Sequence, residues 1–225
     1  MSAHKLVRKD FVWTSDLAYV VGLIATDGCL SKDLRHIELT SKDLEQVENF
    51  KGLLKLKNKI GTKTNGIRKG VYYRIQLGNI VFYEWLLKIG LTPHKSLTLG
   101  GIDIDKQYFR DFVRGSLDGD GNITHYEDRY NTYLNPDYIY ERLIVRFFSG
   151  SKKHLLWLRD SISKCVNVQG AIITDLSGIK KGKNPNYSLK FSTKEAKVVL
   201  NWIYYKENLP CLRRKFDIAE PFLRI

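Results

Sequence analysis

One pattern occurs twice in the chain, and it constrains every fold open to it. Leu17-Ala-Tyr-Val-Val-Gly-Leu-Ile-Ala-Thr-Asp-Gly28 aligns with Arg110-Asp-Phe-Val-Arg-Gly-Ser-Leu-Asp-Gly-Asp-Gly121 at an offset of 93, placing Gly22, Asp27 and Gly28 on Gly115, Asp120 and Gly121. The likeness continues downstream. His36–Ser41 falls on Ile144–Ser149 at an offset of 108, Tyr73–Leu77 on Tyr187–Phe191 at 114, and Lys95-Ser96 on Lys215-Phe216 at 120. The offset grows where polar, turn-rich stretches enter the second half, at Tyr126–Asn135 and Ser177–Pro185. The chain therefore divides into two repeats, 1–104 and 105–225.

Within each repeat the periodicity predicts helix, two strands, helix, two strands, helix: an α+β fold of two pseudo-symmetric αββαββα units. In the first, Thr14 or Ser15 caps a helix that runs to about Asp27 and stops at Gly28. Strands are expected at Cys29–Leu34 and Ile37–Thr40, a helix over Asp43–Leu56, a hairpin of Gly61–Lys63 with Val71–Leu77, and a helix over Val81–Ile89. The second repeat carries the same order with longer hairpin loops, its middle helix over Lys152–Val166.

Glycine inside a helix costs about 1 kcal/mol against alanine, so two helices that keep one at the same place need a reason. Gly22 with Thr26, and Gly115 with Gly119, lie four apart on one helical face. Small residues at that spacing let two backbones approach, which predicts that the repeated helices pack on each other about a pseudo-twofold axis. Asp27 and Asp120 then converge at the electronegative ends of both helices, where two carboxylates repel each other and the macrodipoles. A divalent cation relieves that repulsion. Carboxylates with the carbonyls of Thr26 and Gly119 suit Mg²⁺ or Mn²⁺, water and phosphate oxygens completing the shell.

Composition narrows the partner. Lys and Arg exceed Asp and Glu by 37 to 24, a net charge of +13, which attracts polyanions. The longest apolar run, Leu17 to Ala25, is too short for a membrane span and the N-terminus lacks a signal-peptide pattern, so an intracellular chain with no membrane partner is expected. Cys29, Cys165 and Cys211 are odd in number and form no CxxC, which argues against disulfides or a zinc cluster. The five histidines form no metal-binding pair, and Glu195-Ala-Lys197 lacks the upstream acid of a restriction-type core.

The two glycine–aspartate stretches resemble the motif of the LAGLIDADG homing endonucleases, and the resemblance to the double-motif, single-chain members spans nearly the whole chain. It implies a monomeric, metal-dependent enzyme that cuts both strands of a long asymmetric DNA site across the minor groove and leaves short 3′ overhangs. Asp27 and Asp120 then take the place of the metal-binding acids. Lys95 and Lys215 match basic residues that line a solvent-filled pocket around the scissile phosphates. Three departures stand out: Ser41 and Ser149 where many members carry Gln or Lys, Ala25 against Asp118 at the motif's first acid, and Arg114 at an apolar position. The acid variation is expected to matter little and Arg114 to lie outside the helix contact. Because the chain begins at Met1 without room for splicing segments, a free-standing intron-encoded protein is expected, cytoplasmic and nucleoid-associated, from an archaeal or bacterial source.

Antiparallel sheets can follow a major groove with one face. The residues expected on that face are Lys32, Arg35, Glu38, Lys63, Arg68, Lys69, Arg74 and Gln76 in the first repeat. In the second they are Arg142, Arg146, Lys180, Lys181, Lys183, Asn186, Ser188 and Lys190. The tyrosines of Tyr126–Tyr140 are expected to pack in the core or within their loop. The competing function is a non-cleaving binder of the same fold, acting on host intron RNA or as a DNA-binding regulator.

Overall fold

The computed structural model describes residues 11–65, 68–178, 182 and 184–224. Its first helix, α1 (Ser15–Thr26), starts where the Thr14 hydroxyl accepts the Leu17 amide at 3.0 Å, and Asp27 forms its C-cap. Leu17 through Ala25 are all buried, so α1 is an interior helix with no solvent stripe. β1 (Gly28–Leu30), β2 (His36–Ser41), α2 (Leu44–Leu53), β3 (Gly61–Asn65), β4 (Arg68–Gly78) and α3 (Ile80–Lys88) follow. The order then recurs as α4 (Phe109–Asp120), β5 (Gly121–Asp128), β6 (Tyr140–Ser149), α5 (Lys152–Val166), β7 (Ala171–Asp175), β8 (Asn186–Ser192) and α6 (Thr193–Ile203). A further helix, α7 (Arg213–Ala219), carries Lys215, where the first half has only a 3-10 turn, Lys95–Leu97.

The strands form two antiparallel four-stranded sheets of the same order, β1-β2-β4-β3 and β5-β6-β8-β7. Their registers coincide. Gly28 lies opposite Leu39 and Leu39 opposite Ile75; Gly121 lies opposite Phe147 and Phe147 opposite Leu189. These are the offsets of 93, 108 and 114 seen in the sequence. Ile37, Leu39, Ile75 and Leu77 in one sheet, and Leu143, Val145, Phe147, Leu189 and Phe191 in the other, bury the inner faces under the helices.

α1 and α4 pack along the glycine face. A β-carbon on Gly22 would run into the Phe112 carbonyl oxygen and stand 2.8 Å from the Ser116 nitrogen; one on Gly115 would strike the Tyr19 carbonyl, and one on Gly119 the Thr26 hydroxyl. The closing segment of each half also docks on the other half. The Ser151 hydroxyl, at the start of α5, donates to the Leu99 carbonyl at 2.6 Å. Reciprocally, Arg214 grips Asp43 with two bonds of 2.9 and 2.8 Å, and Asn49 on α2 donates to the Cys211 carbonyl at 2.9 Å.

Some boundaries differ from expectation for local reasons. β1 ends at Leu30 rather than Leu34 because the Ser31 amide turns back to the His36 carbonyl, Leu34 adopts a φ of 58°, and Asp33 accepts the Arg35 and His36 amides. α2 stops at Leu53, three residues early, as Lys55 swings to a φ of 52°. No described helix is long and apolar enough to cross a membrane.

Candidate active site

α1 and α4 end in Asp27 and Asp120, which the glycine contact brings to one place. Each carboxylate is partly buried. Burial, and then the charge of Asp120, pushes Asp27 from its ordinary 3.8 up to about 6, while burial also raises Asp120. The Lys95 and Lys215 ammonium groups pull both acids the other way without offsetting the burial. Two carboxylates held at helix C-termini in this state repel each other, and a bound cation would relieve that repulsion. Among the described residues no group of three or more His, Cys, Asp or Glu could hold a metal. An ion here would draw its remaining oxygens from backbone, water and phosphate, a donor set that suits Mg²⁺.

Lys95 and Lys215 are not solvent-facing, as the expected pocket-lining role would have them. They are 6% and 4% exposed. Lys95 Nζ donates to the Gly28 carbonyl, and Lys215 Nζ to those of Leu117 (2.7 Å), Asp118 (2.7 Å) and Gly119 (3.3 Å). Both therefore satisfy carbonyls at or beyond the C-terminal ends of the motif helices, where cations are favoured. Burial lowers Lys95 and takes Lys215 down to about 8. The Gly119 carbonyl, expected as a metal ligand, already accepts from Lys215. The Thr26 hydroxyl turns inward to the Gly22 and Leu23 carbonyls at 3.1 and 3.0 Å, leaving only its own carbonyl to consider as a ligand.

Three buried polar residues absent from the sequence-based set belong to the same region. Gln46, 1% exposed on α2, donates its amide to Asp27 Oδ2 at 2.7 Å and accepts the Ser41 hydroxyl at 3.1 Å. Its counterpart at the offset of 108 is His154, whose Nδ1 meets the Gly100 carbonyl at 2.8 Å and whose pKa burial lowers. That offset, already visible in Ser41 and Ser149, pairs the two positions across the repeat. Beside Asp120 a cavity of about 20 Å³, lined by Thr26, Ser116, Ser149 and His154 among others, has room for about one water.

Asp118 is the third. Where the first half has Ala25, Asp118 makes contacts of its own: it is 1% exposed, accepts the Tyr19 hydroxyl and the Leu212 amide on Oδ2 at 2.8 Å each, and is raised to about 6 by burial. Arg114 is not outside the contact either. It is 1% exposed, pairs with Asp111 at 2.8 Å, donates to the Pro210 and Ile203 carbonyls at 2.9 and 3.0 Å, and stands over the Tyr19 ring. A buried charge at an apolar motif position is tolerated because every arm of the guanidinium finds a partner.

Ladder parity divides the sheets cleanly. Lys63, Glu38, Arg74 and Gln76 share the outer face of the first sheet, and Arg142, Arg146, Asn186 and Lys190 that of the second. Lys32 and Arg35 lie in the exposed turn between β1 and β2. Ser188 has outer parity but is only 8% exposed, so it is covered rather than presented. Arg68 and Lys69 fall on β4 with side chains outside the described part, and Lys180, Lys181 and Lys183 lie outside the described residues. Two of the basic residues are already paired: Arg74 with Glu38 at 3.5 Å and Arg142 with Asp128 at 2.9 Å. The loop tyrosines do not join the core; Tyr130 and Tyr133 are 81% and 74% exposed and meet each other edge to face.

The profile of the LAGLIDADG-like domain matches residues 14–90. No curated protein sequence matches the chain. Among solved structures, full-length WhiA from Thermatoga maritima is similar at 18% identity and a TM-score of 0.53, over 95% of this chain; the chain spans 62% of that protein's length. The I-LtrWI LAGLIDADG homing endonuclease bound to target DNA is similar at 14% identity and 0.56, over 92% of this chain and 89% of that one. I-DmoI in complex with DNA and Ca is similar at 15% identity and 0.55, over 92% and 97%.

Proposed function

From a chain that carries a LAGLIDADG-like domain in its first half and has the fold of the LAGLIDADG homing endonucleases throughout, we propose a site-specific, divalent-metal-dependent double-strand DNA endonuclease. It acts as a monomer on a long asymmetric site and leaves short 3′ overhangs. Its two functional halves divide near residue 104.

The observation that carries this reading is the pair Asp27 and Asp120, which meet at the ends of two packed helices and are both raised above the ordinary carboxylate value, chiefly by burial, even beside two buried lysines. A binder of nucleic acid gains nothing by setting two raised carboxylates against a phosphate backbone. Mg²⁺ or Mn²⁺ held there supplies charge stabilisation at the scissile phosphate and a more acidic water. Asp27 and Asp120 hold that ion, and Gln46 fixes the orientation of Asp27. Lys95 and Lys215 support the local charge through the backbone carbonyls they bind. The outer sheet faces, with Lys63, Arg74, Gln76, Arg142, Arg146 and Lys190, hold the duplex in register.

The experiment is a plasmid carrying the joined DNA that flanks the coding sequence, incubated with protein in Mg²⁺ or in EDTA. Linear product in Mg²⁺ alone supports the endonuclease. The second reading, a binder of DNA or of intron RNA that does not cut, draws on the similarity to WhiA over 95% of this chain. Retarded DNA or RNA without linear product in either buffer selects it.

A further inference from the structure

Asp118 closes a ring of contacts around Lys215. Its side chain receives the amide of Leu212, the N-cap of α7. The Leu212 carbonyl in turn accepts the Lys215 amide at 2.9 Å, and Lys215 Nζ returns to the carbonyl of Asp118 itself at 2.7 Å. The same carboxylate oxygen takes the Tyr19 hydroxyl from α1, so the ring is tied to the motif helix of the other half. Arg114, one turn earlier on α4, fixes the segment leading into α7 at Pro210. Among the described residues nothing comparable surrounds Lys95, since the position equivalent to Asp118 is Ala25 and Lys95 stands on a 3-10 turn.

We propose that Asp118 is a positioning residue of the second half of the site: its carboxylate anchors the start of α7 and thereby seats Lys215 on the end of α4, next to Asp120. It touches neither substrate nor ion and acts through Lys215. The seating is read from this chain's own contacts; only its consequence for cleavage rests on the endonuclease reading. The two halves thus hold their lysines by different means, and damage to this anchor should be felt on one strand of the DNA.

The test separates the two. Lysines of the full chain are acetylated under native conditions and quantified by mass spectrometry. Asp118→Ala is expected to raise acetylation of Lys215 about tenfold while Lys95 stays protected. Asp118→Asn keeps an oxygen for both donors, Tyr19→Phe keeps the Leu212 bond, and both should leave Lys215 protected. Continued protection in Asp118→Ala, exposure of both lysines alike, or exposure in Asp118→Asn would each overturn the assignment. On target plasmid, Asp118→Ala should accumulate nicked circles with unchanged DNA affinity, Asp118→Asn restoring linear product. Equal slowing of both strands would contradict the proposal. Absence of cleavage by the unaltered protein counts against the endonuclease reading and leaves the acetylation result to decide this one.

Discussion

Gln46 donates its side-chain amide to Asp27 Oδ2 across 2.7 Å, while among the described residues no side chain hydrogen-bonds to Asp120. The two acids are related by the repeat but not equally held. Gln46 is itself fixed, through Oε1, by the Ser41 hydroxyl, so the orientation of Asp27 is set before any ion arrives.

Gln46→Leu should therefore raise the Mg²⁺ concentration that cleavage requires, or lower cleavage, by about 10- to 100-fold, the usual effect of losing the partner of a ligand. Because the Gln46 bond pulls the Asp27 pKa down, its loss should also move the acidic limb of the pH–rate profile upward. Mg²⁺ titrations at several pH values read both effects.

Asp27 is strained in the metal-free protein, and the sign can be worked out. Its folded pKa of about 6 lies above the ordinary 3.8, so the proton binds the folded state more tightly. The stability this gives is complete below about 3.8 and is lost as pH rises through about 6. Asp27→Asn escapes that loss. Without metal it should match the unaltered protein near pH 4 and exceed its stability by about 3 kcal/mol at pH 8, measured by urea unfolding. In Mg²⁺ the advantage should shrink, because only the carboxylate gains from the ion.

Gly115 faces the Tyr19 carbonyl with no room for a methyl group. Gly115→Ala must push α1 and α4 apart, and the clash is with backbone rather than with a yielding side chain. A loss of about 3 kcal/mol or more is expected, seen as a large fall in thermal midpoint. Gly52→Ala, where an added β-carbon meets nothing, should be neutral or mildly stabilising and is the control.

On the outer faces, Arg146 and Lys190 sit opposite each other in the ladder. If about eight phosphates are neutralised, the logarithm of affinity should fall against that of salt with a slope of about −7. Arg146→Ala or Lys190→Ala should reduce the slope by about one unit if the residue meets phosphate. A residue that reads a base should instead lose specificity at one position of the site with the slope unchanged.

The architecture was legible because the repeat encodes it. Offsets of 93, 108 and 114 reappear as ladder register, and the glycines at 22, 115 and 119 mark the helix contact directly. The convergence of Asp27 and Asp120 at the helix ends was legible for the same reason. What the sequence could not convey is which polar side chains turn inward. Lys95 and Lys215 look like surface lysines until their targets, the carbonyls at the motif helix ends, are placed beside them. Asp118 and Arg114 read as tolerated variation because their partners, Tyr19, Ile203, Pro210 and Leu212, come from segments about 90 or more residues away. Gln46 has no sequence signal beyond Ser41, five residues before it and bonded to it, because an amide on an amphipathic helix reads as a surface group.

The central claim is that Asp27 and Asp120 together make the cleavage site, and the most direct measurement is cleavage of the joined flanking sequence in Mg²⁺ by Asp27→Asn and Asp120→Asn beside the unaltered protein. DNA binding in EDTA is measured on the same preparations. The account predicts linear product from the unaltered protein, a loss of at least about a thousandfold in each variant, and DNA affinity equal or higher once a negative charge facing phosphate is gone. Cleavage of both strands at an undiminished rate by either variant would contradict it.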